Sequence, residues 1–214
     1  GMFGIVGVFV LLALAAGARA FWRETGGRAN SAALWSALRD SFTLQYLGKS
    51  GVACTYPEGD HSHARRNFHH LTFYGFLLCF ASTVVAAMYH YAGSPAPYGY
   101  FSLPVVLGTA GGIGLLAGPP GLYALKCRRD PAIADMKQDG MDIAFLAMLF
   151  LTSLTGLLLL ALRQTAAMGP LLVIHLGTVL ALFLALPYGK FVHGIYRYAA
   201  LVRYALEMRE RSHT

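Results

Sequence analysis

Five histidines lie in or beside apolar stretches of this chain: His69, His70, His90, His175 and His193. An imidazole in hydrocarbon is costly without a partner, so residues of this kind point to a function. His175 and His193 stand eighteen positions apart in Gly169–Tyr204, GPLLVIHLGTVLALFLALPYGKFVHGIYRYAALVRY. On one continuous helix that spacing is about five full turns, so both rings leave the same face. They would lie about 27 Å apart, one near each side of a hydrocarbon core about 30 Å thick. A bound metal is the partner that best suits paired neutral imidazoles. The segment is therefore expected to hold one half of two bis-histidine haem sites.

The other halves are sought near Asn67–Tyr91. On an ideal helix His69 and His90 come within about 60° of each other, whereas His70 and His90 diverge by about 160°. His69 and His90 then share a face and His70 points elsewhere, though a kink would alter that choice, so His70 stays as the alternative to His69. Two imidazoles on facing helices at one depth make the axial pair of a haem b, whose filled coordination favours electron transfer over oxygen chemistry. No CxxCH is present, which excludes covalently attached c-type haem. Cys54, Cys79 and Cys127 show no CxxC spacing, so no iron–sulfur motif occurs in this chain. Haem propionates need cations near the membrane surfaces: Arg65, Arg66, Lys190 and Arg197 are candidates on one side and Arg163 on the other. The third-span glycines with Phe73, Phe76, Phe183 and Phe191 could pack against porphyrin faces. The competing account of a histidine in a span is a hydrogen-bonded core residue. Di-zinc or proton-relay sites usually recruit carboxylates, and Asp142 is the acidic residue nearest a span.

The elements that must position these residues follow from composition. Of 214 residues 56% are hydrophobic and 13% charged, with mean hydropathy +0.52, which indicates an integral membrane protein. The net charge of +7 comes from cations beside apolar spans, as in cytoplasmic loops, so nucleic-acid binding is not expected. The fold class is all-α: five transmembrane helices in a haem-binding bundle plus one interfacial amphipathic helix, in a single domain over 1–214. Spans are expected at 2–22, 67–91, 101–126, 141–162 and 169–193. The first could be read as a secretory signal, since Ala18-Arg19-Ala20 resembles a cleavage site, but it lacks a basic start and is long enough to span. Gly1 ahead of Met2 suggests a piece of a longer protein. The amphipathic helix, 31–47, carries an apolar stripe of Leu34, Leu38, Phe42 and Tyr46. Loop residues His61 and His63 are read as solvated. Pro119-Pro120 should bend or break the third span near its end, and the fifth is expected to run past Pro187-Tyr188-Gly189 into an amphipathic tail. Basic loops place the N-terminus outside and the C-terminus in the cytoplasm. His69 or His70 would then meet His193 at the inner side, and His90 would meet His175 at the outer side.

Several stretches resemble a known family. RRNFHHLTFYGFLLCFAST (65–83), YHY (89–91), LPVVLGTAGGIGLLAGPPGL (103–122), GMDIAFLAMLFLTSLTGLLLLALR (140–163) and IHLG with LPYGKFVHGIYRYAALVRYALE (174–177, 185–207) are similar to tricarballylate utilization protein B. That family is also called CitB-type, and its membrane part is similar to the nitrate reductase gamma subunit. The resemblance implies a location in the bacterial inner (cytoplasmic) membrane. It further implies an iron–sulfur portion and a flavoprotein dehydrogenase as partners, and quinone as electron acceptor. The iron–sulfur portion is missing here, so either this is the excised membrane part or the clusters reside on another chain. The resemblance carries His69 or His70 with His193, and His90 with His175, as haem ligands. The expected function is a b-type cytochrome subunit, an electron relay in a dehydrogenase:quinone system, probed at Lys190 and Tyr188 or at Arg163 and Tyr91 for quinone contact. Its rival is a haem-free membrane anchor for a soluble dehydrogenase.

Overall fold

A computed structural model describes residues 2–25, 30–44, 63–128, 136–189 and 191–212. They form seven helices: α1 (Met2–Thr25), α2 (Ser31–Thr43), α3 (Ala64–Tyr91), α4 (Leu103–Cys127), α5 (Met136–Ala161), α6 (Met168–Ala185) and α7 (Val192–Ser212). Five segments are long and apolar enough to cross a membrane: Met2–Glu24, Ala64–Tyr91, Leu103–Cys127, Asp139–Ala161 and Met168–Ala185. The chain divides into two compact units, one made of Gly1–Ala53 with Leu180–Thr214 and the other of Cys54–Val179.

In the 54–179 unit, α3 and α4 run antiparallel with their backbones nearly touching. A Cβ added to Gly75 would lie 2.9 Å from the carbonyl oxygen of Gly111. One added to Gly111 would lie 2.7 Å from the Gly75 oxygen and 2.8 Å from the Cys79 nitrogen. Further along, Gly118 faces Thr72 and Gly121 faces Phe68 with no room for a side chain. Such proximity is what small residues give to helices in lipid, where no hydrophobic force drives them together. Ser82 Oγ donates to the Pro104 carbonyl at 2.6 Å and Tyr98 Oη to that of Ala86 at 3.0 Å, which sets the register.

Helix α5 lies against the flank of α4 that bears Gly112. Ser153 Oγ donates to the Gly112 carbonyl at 2.6 Å, and the Leu157 side chain fills the space above that glycine. One end of the α4–α5 pair is tied by Lys126, whose Nζ lies 2.6 Å from Asp142 Oδ2 and 3.0 Å from Asp139 Oδ1. At the opposite end Arg163 Nη1 donates to the Tyr98 carbonyl at 2.7 Å, and its guanidinium sits 3.5 Å over the Tyr100 ring.

Two expectations about prolines need correction. Pro119-Pro120 do not break α4, which continues to Cys127. Each proline removes one backbone donor, and a helix packed among other apolar helices tolerates that. Pro187, by contrast, does end a helix: α6 stops at Ala185 and α7 starts at Val192. Proline disfavours helical geometry at the preceding Leu186 and its ring conflicts with the carbonyl four residues back. The Gly189 N–H then closes the turn by donating to the Ala185 carbonyl at 2.8 Å. The expected 169–193 span is therefore two helices, and the argument from eighteen-residue spacing on one face falls.

In the other unit α7 packs against α1 and α2. Ala33 and Ala37 are fully buried against Val202 and Leu206, with Trp22, Tyr198, Leu201 and Ala205 around them. Asn30 caps α2, its Oδ1 accepting from the Ala33 N–H at 2.7 Å, and Leu44 ends it in the left-handed region with φ 47°. The face turned to α7 is thus the alanine pair. The expected stripe is left outward, with Leu34 40%, Leu38 36% and Phe42 40% exposed, and Tyr46 lies outside the described residues. Methyl-sized side chains let α7 come close.

Gly111 meets backbone atoms of α3, which cannot swing aside as a side chain can. Gly111→Leu is expected to destabilise the folded protein by about 3 kcal/mol, lowering its melting temperature in detergent. Gly4→Leu, where no atom lies within 4 Å, should leave the melting temperature unchanged.

Candidate functional site around His175 and the flanks of α3

The His175 ring is held on a second helix. Its Nδ1 lies 3.0 Å from Thr155 Oγ1 of α5. The Thr155 hydroxyl donates its own proton to the Leu151 carbonyl at 2.8 Å, so its oxygen accepts from His175 Nδ1–H. That assignment of tautomer, made from the hydrogen-bond network, leaves the lone pair on Nε2. An imidazole with one nitrogen pinned and the other carrying a lone pair is the form in which histidine binds a metal. Gly156 makes room for the ring, because a Cβ there would lie 3.0 Å from His175 Cε1.

The α3 histidines fall on two flanks. Residues facing α4 are Phe68, Thr72, Gly75, Cys79 and Ser82, so at about 100° per residue His70 leaves one side of that line and His69 and His90 the other. Because the helices are antiparallel, the His70 flank of α3 adjoins the flank of α4 that bears Ala110 and Gly114. The His69 and His90 flank adjoins the one bearing Gly112, where α5 packs. His70 lines a groove of about 420 Å³ with Asn67, Leu71, Tyr74, Gly75, Leu78, Ala110 and Gly114.

Depth separates these residues further. Ser153 and Leu157 of α5 meet Gly112, and the neighbouring Gly111 meets Gly75 and Cys79. The His175 ring, beside Thr155 and Gly156, therefore sits near the middle of the span, level with α3 residues just before Cys79. His90 lies about twelve residues, roughly 18 Å, nearer one end of α3, and His69 and His70 about eight residues, roughly 12 Å, toward the other. The expected pairing of His90 with His175 at one depth is not what the register gives, because His90 sits in the last turn of α3 whereas His175 is already two turns into α6.

The remaining candidates are scattered. His193 is exposed in the first turn of α7, in the unit that does not contain His175. Arg65 is exposed and Arg66 half-buried in the first turn of α3, and Arg197 is half-buried on α7. Arg163 is engaged by Tyr98 and Tyr100 as described above, and Lys190 and His61 lie outside the described residues. Among the described residues no group of three or more His, Cys, Asp or Glu gathers as a metal cluster. Sequence reasoning missed Thr155, Gly156 and the Lys126 pairs. A hydroxyl in an apolar run twenty residues before His175 was the available signal for the first.

A sequence profile described as citrate utilization protein B matches residues 2–214. The chain belongs to the citrate utilization protein B family. It is 52% identical over 213 residues to an Escherichia coli protein called Citrate utilization protein B, an alignment covering 97% of this chain and 56% of that protein. The chain thus spans about half the length of that relative. No solved structure matches it.

In this member of the citrate utilization protein B family, Thr155 should fix the His175 tautomer. Thr155→Val keeps the shape and removes the acceptor, at a cost of about 1 kcal/mol. Nitrogen NMR of the imidazole should then lose its pure Nδ1–H signature, and Thr155→Ser should retain it.

Proposed function

We propose that this chain is the membrane-embedded electron-transfer part of a citrate or tricarballylate utilisation system. Electrons from a flavoprotein dehydrogenase, relayed by iron–sulfur clusters outside this chain, leave through haem b to quinone in the bacterial cytoplasmic membrane. The observation that carries this reading is the His175 imidazole, half-buried at mid-span with its lone-pair nitrogen prepared by Thr155. Family membership supports the metabolic setting, and the resemblance to the nitrate reductase gamma subunit supports the chemistry. One donor present suits haem iron, the neutral His175 imidazole with its lone pair on Nε2. Haem b, when bound, supplies reversible one-electron transfer.

Each residue then has a limited task. His175 would hold the iron through Nε2, with Thr155 orienting the imidazole and Gly156 leaving space for the ring. The apolar side chains of α5 and α6 exclude water. Arg66, near one end of the bundle, and Arg163, near the other, are cations in reach of the membrane surfaces for propionates. The basic loops favour an outer N-terminus and a cytoplasmic C-terminus. The second axial ligand is not assigned to His90, given the depth difference between it and His175.

That same depth difference favours a second reading, a haem-free anchor that docks a dehydrogenase. A reduced-minus-oxidised spectrum with a pyridine-haem assay on detergent-purified protein separates the two. At least one haem b per chain is expected, with His175→Ala lowering haem content tenfold or more (about 1.4 kcal/mol per decade) and His90→Ala preserving the His175 haem. Absence of any b-type α-band in the unmutated protein leaves the anchor.

A further inference from the structure

The groove on the other flank of the α3–α4 pair has a chemistry of its own. Its volume of about 420 Å³ falls in the range of small-molecule sites. The floor is flat, because Gly75, Gly114 and Ala110 put almost no side chain into it. Leu71 and Tyr74 at the rim are 42% and 41% exposed, so the approach runs sideways along an apolar span. His70 and Asn67 bring polar side chains to this wall, and His70 Nε2, just beneath the surface, has no hydrogen-bond partner among the described residues. The Tyr74 ring stands 5.7 Å from the His70 ring, tilted by 56°. A buried imidazole nitrogen without a partner is costly, and a lipid acyl chain offers it nothing. No charged side chain lines the groove, so a charged ligand has no counter-ion there.

We propose that this groove binds the headgroup of a membrane quinone. Its ring lies over the glycine floor beside Tyr74, and a turn of the His70 imidazole toward the groove lets a ring carbonyl accept a hydrogen bond from Nε2. The apolar tail leaves past Leu71 into lipid. His70 in this assignment contacts quinone and does not ligate haem iron. The proposal rests on the reading of the chain as an electron carrier to quinone, and it names where that acceptor sits.

The test is photolabelling of the purified full chain in lipid nanodiscs with a short-chain azido-ubiquinone, mapped by mass spectrometry. Label is expected in peptides covering 67–78 or 110–114, displaced by decyl-ubiquinone. His70→Leu should weaken labelling about tenfold, the size of one lost buried hydrogen bond, with haem content unchanged. Ala110→Leu, which fills the floor without touching the imidazole, should do the same, and His70→Gln, which keeps a donor, should label nearly as well as the parent. Label elsewhere, labelling indifferent to all three variants, capture of an apolar diazirine lipid but no quinone, or loss of haem in His70→Leu would each overturn the site. Protein that lacks haem yet labels here keeps the groove and refutes the haem relay; protein with haem and no label in the groove does the reverse.

Discussion

Everything in the 54–179 unit depends on how closely α3 and α4 approach. In water, burying apolar surface would hold two such helices together, but against lipid tails that force is absent. What remains is dispersion between atoms in contact and weak Cα–H···O bonds, and both decay steeply with distance. Gly75, Gly111, Gly114 and Gly118 bring the backbones to the limit, so many atom pairs reach contact at once. The hydroxyls of Ser82 and Ser153 add hydrogen bonds to carbonyls of α4. Helix α4 has 28% of its apolar window buried, against 17% for α5 and 6% for α3 and α6, so it is the centre on which the others are placed.

That contact also divides the unit into two chemically distinct sides. One flank has α5 and the pinned imidazole of His175; the other has the His70 groove. Glycines serve both purposes, since the residues that let the helices meet also leave a smooth wall beside the meeting line. At either end a cation fixes the arrangement: Lys126 between Asp139 and Asp142, and Arg163 on the Tyr98 carbonyl and the Tyr100 ring. A charge half-buried near a membrane end stays only where such partners hold it.

Much of this was legible from residues alone, and the failures have physical causes. Span positions follow from hydropathy because every backbone group in lipid must bond within its own helix. The glycine run of α4 announced a close neighbour. Proline was read with the wrong sign twice. Pro119-Pro120 fall inside a packed helix that supplies enough contact to outlast two missing donors, whereas Pro187 is followed by Gly189, which accepts the turn. Periodicity cannot tell these cases apart, because the outcome depends on tertiary contacts. The same limit hid the buried face of α2: a stripe of large apolar residues signals an apolar environment without saying whether lipid or protein supplies it, and here Ala33 and Ala37 meet α7 instead. Thr155 was invisible because its role requires knowing that α5 and α6 bring positions twenty residues apart side by side.

The two imidazoles also differ in what they can reach. His175 is at mid-span, its Nδ1 against the hydroxyl of Thr155, which spends its own proton on the Leu151 carbonyl. His70 is the seventh residue of α3, within two turns of the helix start, next to Asn67 and close to Arg66. Reducing a quinone consumes protons as well as electrons, which requires a site near the aqueous boundary and open to lipid for the tail. Electron passage belongs at depth and proton-coupled chemistry at the edge. On the proposed relay, His175 at mid-span of α6 suits the first task and His70 near the start of α3 the second.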